Sequence, residues 1–135
     1  MKSKTVLITG GSGYIGSHVV EQLLQKNYQV RIYDQFMFGD KHISDLKKNP
    51  NLAIFKGEIG DVQKLVEVMN GADFVVHLAG IVGDPASKVN EELTVQMNII
   101  STRTVIEISK VFNIKRFVFA SSCSVYGASK GLITE

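Results

Sequence analysis

Short apolar runs of strand length alternate with longer stretches of helical period along the sequence. Strands separated by helices do not pair as hairpins. Each helix carries the chain back across the sheet, so successive strands come out parallel. A parallel sheet is covered by helices on both faces, and its strands are then apolar on both sides. Thr5-Val6-Leu7-Ile8-Thr9, Gln29-Val30-Arg31-Ile32-Tyr33, Leu52-Ala53-Ile54-Phe55, Asp73 to Leu78 and Arg116 to Ala120 read as the five strands. Between them the pattern predicts a helix with Ile15, Val19, Val20, Leu23 and Leu24 on one face, and a short helix around Lys41 to Lys48 stopped by Asn49-Pro50. A third helix, capped by Asp61 and ended by Asn70-Gly71, carries Leu65, Val66, Val68 and Met69. The last runs from about Asn90 to Phe112, with Leu93, Met97, Ile100, Thr104, Ile108 and Val111 on one stripe. Ser121 to Glu135 reads as loop. The expected fold is α/β, a doubly wound parallel sheet of strand order 3-2-1-4-5, forming one domain over residues 1–135. Ligands in such sheets bind at the carboxyl ends of the strands where the order reverses, here between strands one and four.

The first strand runs directly into Thr9-Gly10-Gly11-Ser12-Gly13-Tyr14-Ile15-Gly16. Gly11, Gly13 and Gly16 satisfy G-x-G-x-x-G, and Gly10, Gly13 and Gly16 satisfy G-x-x-G-x-x-G. In either register the first glycine permits a tight turn, Gly13 admits a diphosphate to the backbone, and Gly16 lets the helix pack close. The helix then aims unsatisfied N–H groups and its positive dipole end at the phosphates. A glycine-rich turn alone has a bland explanation. Its position between a strand and an amphipathic helix, with an acid following at the end of strand two, favours dinucleotide binding. That acid is Asp34, whose carboxylate suits the two ribose hydroxyls of adenosine and repels a 2′-phosphate. The expected cofactor is therefore NAD, with NADP a minor alternative kept open by Arg31. The competing reading of Asp34 is a loop cap.

A net charge of +2, from 15 basic and 13 acidic side chains, forms no run or stripe and points to neither nucleic acid nor a membrane surface. Cys123 is the single cysteine, so no internal disulfide exists and a cytoplasmic setting is expected. No segment has the length of a membrane span or a signal-peptide core. His18, His42 and His77 lack metal-ligand spacing, and no metal is expected. His77, at a strand end, reads as a buried, hydrogen-bonded side chain rather than a catalyst.

Four landmarks occur in order: Thr9-Gly10-Gly11-Ser12-Gly13-Tyr14-Ile15-Gly16, Asp34, His77-Leu78-Ala79-Gly80, and Ser121-Ser122-Cys123-Ser124-Val125-Tyr126-Gly127. Together they resemble the extended short-chain dehydrogenase/reductase family, in particular its NAD-dependent sugar-nucleotide epimerases and dehydratases. The resemblance implies a Rossmann-type fold and a cofactor site made by Gly10, Gly13, Tyr14, Ile15, Gly16 and Asp34. It further implies that Glu58, where the family usually has Asp, and Ile59 contact the adenine. Ala79 and Gly80 would line the nicotinamide ribose, and Asn98 would steady the loop beneath the cofactor, unless it is an ordinary helix-surface Asn. Ser122 is implied as the catalytic hydroxyl that bonds the substrate oxygen; its competing reading is a cap at the strand end. Val82-Gly83-Asp84 would approach a sugar. Cys123 reads as a small packed residue.

The same resemblance implies a Tyr-x-x-x-Lys base. Tyr126-Gly127-Ala128-Ser129-Lys130 fits those letters. Gly127 and the absence of helical period argue that it is a decoy, since the family pair opens a long helix. The expectation is a chain truncated before its general base, a sixth strand and the substrate-binding part, whether a shortened gene product, an engineered fragment or one part of a split protein. Strand five would then present an apolar edge for a homodimer or another chain. Three functions remain open: the NAD-binding part of a sugar-nucleotide epimerase or dehydratase, an NAD-binding module without turnover, and one half of a split enzyme.

Overall fold

The computed structural model describes residues 3–83, 90–127, 131 and 132. In chain order the elements are β1 (Thr5–Thr9), α1 (Tyr14–Gln25), β2 (Gln29–Asp34), a 3-10 helix (Lys41–Lys48), β3 (Leu52–Lys56), α2 (Val62–Met69) and β4 (Phe74–His77). There follow α3 (Glu91–Val95), a π-helical segment (Gln96–Ile100), α4 (Ser101–Val111), β5 (Arg116–Phe119) and a 3-10 turn (Cys123–Tyr126). The five strands are all parallel, in the order β3-β2-β1-β4-β5 that the sequence predicts.

Alternate residues of β1, β2 and β4 feed two cores. Val6, Ile8, Val30 and Ile32 pack with Val20 and Leu24 of α1 and with Ile43 of the 3-10 helix. Leu7, Tyr33 and Val75 pack on the opposite face with Leu65, Val68 and Met69 of α2 and Val105 and Ile108 of α4. Burial on both faces is the reason the middles of β1 and β4 are apolar, with their polar residues, Thr5, Thr9 and His77, at the strand ends. Asp61 caps α2 as expected, its side chain accepting from the Lys64 N–H at 3.0 Å.

Three details differ from the sequence pattern. Ile15 and Val66 are exposed; α1 instead buries Gly16, Ser17, Val20 and Leu24, and α2 buries Leu65, Val68 and Met69. The long final helix is interrupted by its π-helical segment, whose extra residue rotates the face that meets the sheet. Leu93, Ile100 and Val111 are exposed, while Met97 and Ile108 of the expected stripe pack in the core and α4 also buries Ser101, Thr102, Val105 and Ser109. Small hydroxyl side chains allow this close approach because each finds a partner. Ser109 donates to the Val105 carbonyl at 2.7 Å, and Ser101 to the Gln96 carbonyl at 3.0 Å. Finally, part of the segment after β5 forms the 3-10 turn rather than plain loop.

Candidate dinucleotide site

The glycine loop follows β1 and residues 78–81 follow β4, the neighbouring strands at which the strand order reverses and a ligand crevice is expected. Each glycine of the loop answers a different demand. Gly10 adopts φ +73, and a Cβ there would stand 2.7 Å from the Ala79 nitrogen. A Cβ on Gly11 would press on Ile32 at 2.9 Å, and one on Gly16 would meet the Gly10 carbonyl oxygen at 2.3 Å. These three are required by the protein's own packing. Gly13 is not: its φ of -70 and ψ of 175 suit any residue, and a Cβ would come no nearer than 3.4 Å to protein. Gly13 is also the N-cap of α1, and it supplies no side-chain cap. The first turn of α1 carries no acidic residue, so no side chain of that turn compensates the positive helix end. Tyr14 and Ile15 open the helix with exposed side chains, and the Tyr14 ring stands edge-on to His18 and His42 at 5.2 and 6.3 Å.

Asp34 ends β2 beside this loop. One carboxylate oxygen accepts from the Ser12 N–H at 3.0 Å, the other from the Phe36 N–H at 2.8 Å. The carboxylate thus ties the glycine loop to the turn after β2. Both the loop-capping geometry and the expected position at the strand end are present in one residue. Arg31 lies elsewhere. Strand alternation puts it on the face of Tyr33, where its guanidinium donates to the Val68 and Asn70 carbonyls at 2.8 and 2.7 Å and closes the carboxyl end of α2. The alternative in which Arg31 serves a 2′-phosphate has no support in this geometry.

Beyond β3, Gly57 is held without a side chain by the Tyr33 ring, 2.5 Å from its Cβ position. Buried Tyr33 donates its hydroxyl to the Glu58 carbonyl at 2.6 Å, and burial, then the nearby Asp61 and Glu58 charges, push its pKa up to about 12. This bond fixes the backbone of residues 57–58, leaving the Glu58 side chain exposed and Ile59 buried.

The opposite wall is set by Asn98, in the π-helical segment. Its Oδ1 accepts from the Ile81 N–H at 2.8 Å, and its Nδ2 donates to the Ile81 carbonyl at 2.7 Å. A Cβ on Gly80 would approach the same Oδ1 at 3.0 Å. Ala79 is half-buried, its N–H directed to Thr9 Oγ1 at 3.4 Å.

Ser122 follows β5, exposed, with its hydroxyl oxygen accepting from the Ser124 N–H at 3.1 Å. Tyr126 closes the 3-10 turn, and Gly127 leaves it with φ +70, so no helix starts at Tyr126. Lys130, and Asp84 in the loop expected near a sugar, lie outside the described residues. Cys123 belongs to the 3-10 turn. Among the described residues no group of His, Cys, Asp and Glu is placed to hold a metal, and no helix is long and apolar enough to cross a membrane. Sequence reasoning missed Thr9, Ser12 and Thr102. Their roles depend on contacts between segments distant along the chain, which no local pattern encodes.

A doubly wound parallel sheet with a glycine loop, an uncapped helix and an acid at the end of β2 defines a Rossmann-type nucleotide-binding protein. Residues 6–135 match the model of the NAD dependent epimerase/dehydratase family, and the chain belongs to that family. It is 34% identical over 124 residues to sterol-4-alpha-carboxylate 3-dehydrogenase, decarboxylating, of Mus musculus, covering 92% of this chain and 31% of that protein. It is 35% identical over 136 residues to UDP-glucose 4-epimerase 4 of Oryza sativa subsp. japonica, covering 95% of this chain and 37% of that protein. The chain therefore spans about a third of the length of these curated relatives. Its fold is similar to that of UDP-glucuronic acid 4-epimerase from Bacillus cereus, solved with UDP-glucuronic acid and NAD. The TM-score is 0.89 at 29% identity, covering 97% of this chain and 44% of the epimerase.

Proposed function

We propose that this chain is the NAD-binding part of an epimerase- or dehydratase-like enzyme acting on a nucleotide-sugar. The observation that carries the reading is Gly13: the fold does not need a glycine there, yet a side chain would stand over the uncapped mouth of α1. A diphosphate fits that space and the free donors around it. In this reading the backbone of Gly10, Gly13, Tyr14, Ile15 and Gly16 cradles the diphosphate. Asp34 receives the adenosine ribose hydroxyls, Glu58 and Ile59 border the adenine, and Ala79 and Gly80 border the nicotinamide ribose. Asn98 holds that wall in place through Ile81.

NAD, when bound, supplies a reversible hydride acceptor, and the protein's task is orientation and proton handling. Ser122 would donate its hydroxyl proton to the substrate oxygen while its own oxygen goes on accepting from the Ser124 N–H. The general base is proposed to come from outside residues 1–135, because the turn at Tyr126 and Gly127 is not the helix start that a Tyr-x-x-x-Lys pair uses. That same turn favours a second reading, an NAD-binding module without turnover. Single-turnover formation of NADH from a nucleotide-sugar, measured on a longer chain that carries a Tyr-x-x-x-Lys pair beyond residue 135, separates the two: it is expected under the first reading and absent under the second. The cofactor assignment itself is tested by calorimetric titration of NAD into the wild type and Gly13→Val: one-site binding is expected for the first and none for the second. Equal affinity in both would overturn it.

A further inference from the structure

A buried histidine joins the two sides of the crevice. His77, at the end of β4, has no solvent exposure. Its Nδ1 shares a hydrogen bond with Thr9 Oγ1 at 2.6 Å, and its Nε2 shares one with Thr102 Oγ1 at 2.9 Å. Thr9 is the last residue before Gly10, and its Oγ1 also faces the Ala79 N–H. Thr102 belongs to α4, one helical turn beyond Asn98. The ring plane is fixed from β5 by Phe119, stacked at 5.7 Å, and Phe117 at 6.1 Å. One side chain of β4 thus bonds the last residue of β1, beneath the glycine loop, and α4, the helix that continues from the π-helical segment carrying Asn98. Among the described residues no charged partner touches the ring, so a neutral imidazole, with one donor and one acceptor nitrogen, matches two hydroxyls, each able to play either role.

We propose that His77 is a positioning residue of the dinucleotide crevice: through Thr9 and Thr102 it sets the spacing between the glycine loop and the wall at residues 79–81. Direct contact between Gly10 and Ala79 gives this spacing its consequence. Gly10 has no room for even a Cβ against Ala79, so a shift of one side is transmitted to the other. The inference rests on the cofactor reading above, and the ligand-free measurement below separates the two.

The test compares His77→Phe, which keeps an aromatic ring against Phe117 and Phe119, with Thr102→Val, the double variant, and Thr102→Ser, which retains the hydroxyl. Leu24→Ala, in the core on the other face of the sheet, serves as a destabilised control. NAD affinity is measured well below each melting transition. His77→Phe and Thr102→Val are expected to weaken binding about tenfold each. The double variant should be no worse than either. Thr102→Ser should bind like the wild type, and Leu24→Ala should keep its affinity despite a lower Tm. Amide exchange at Gly10 and Leu78, whose N–H groups bond Tyr33 O and Thr9 O, is followed in the ligand-free protein. It should accelerate in His77→Phe and Thr102→Val beyond the Leu24→Ala control. Unchanged affinity in His77→Phe, or an equal loss in Leu24→Ala, overturns the proposal. If the wild type binds no NAD, the cofactor reading falls and the exchange data alone decide the role of His77. Should His77→Phe not fold, the Thr102 pair carries the same comparison.

Discussion

Asn98 and Ile81 form a closed two-bond ring: the Asn98 amide accepts from the Ile81 N–H at 2.8 Å and donates to the Ile81 carbonyl at 2.7 Å. A side chain from a helix here replaces the strand neighbour that the chain loses once β4 has ended at His77. Asn98→Ala should cost about 1–3 kcal/mol, since two partly buried backbone groups lose their partner. Thermal melting gives the magnitude, and exchange of the Ile81 amide should rise in step. Asn98→Asp tests the geometry separately, because a carboxylate keeps the acceptor but loses the donor to the Ile81 carbonyl.

Gly13 and Gly16 should part company when each is replaced by alanine. Gly16→Ala drives a Cβ to 2.3 Å from Gly10 O, and denaturant unfolding should show a loss of several kcal/mol, on the order of 2–4. Gly13→Ala meets no contact below 3.4 Å, so its stability should stay within about 1 kcal/mol of the wild type or rise slightly. If both variants unfold alike, the distinction between a packing glycine and a ligand glycine is wrong.

Asp34→Ala removes acceptors from the Ser12 and Phe36 N–H groups. A stability loss of about 1–2 kcal/mol is expected from these half-exposed bonds. Loss of the carboxylate should also weaken NAD while raising the ratio of NADP to NAD affinity, read by parallel titrations. Arg31→Ala should leave that ratio unchanged and destabilise the protein instead, because its guanidinium is engaged at the end of α2.

Burial lowers the His77 pKa from 6.5 to about 4. The folded state therefore binds fewer protons than the unfolded chain between those values. Its contribution to stability is fully present above pH 6.5 and is lost as pH falls towards 4, an effect of about 3 kcal/mol at most. His77→Phe should flatten the stability profile across that window. The profile is read by denaturant unfolding at fixed ionic strength.

The sequence alone determined the strand order, the strand–glycine loop–helix unit and the placing of Asp34 at a carboxyl strand end. These follow from local periodicity, from the steric freedom of glycine, and from the rule that helical crossovers make strands parallel. The buried, hydrogen-bonded state of His77 was legible too, because a histidine ending an apolar strand has few other choices. Its partners were not: Thr9 and Thr102 lie 68 and 25 residues from it along the chain. Tertiary structure also decided which residues of the last helix are buried: Met97 and Ile108 of the expected stripe pack in the core, but Ser101, Thr102 and Val105 join them in place of Leu93, Ile100 and Val111. It decided, too, that Arg31 closes α2 while Asp34 holds Ser12, since opposite faces of one strand meet different neighbours. Periodicity specifies that a segment has a buried face. Only packing against a particular neighbour specifies which atoms on that face are satisfied, and by what.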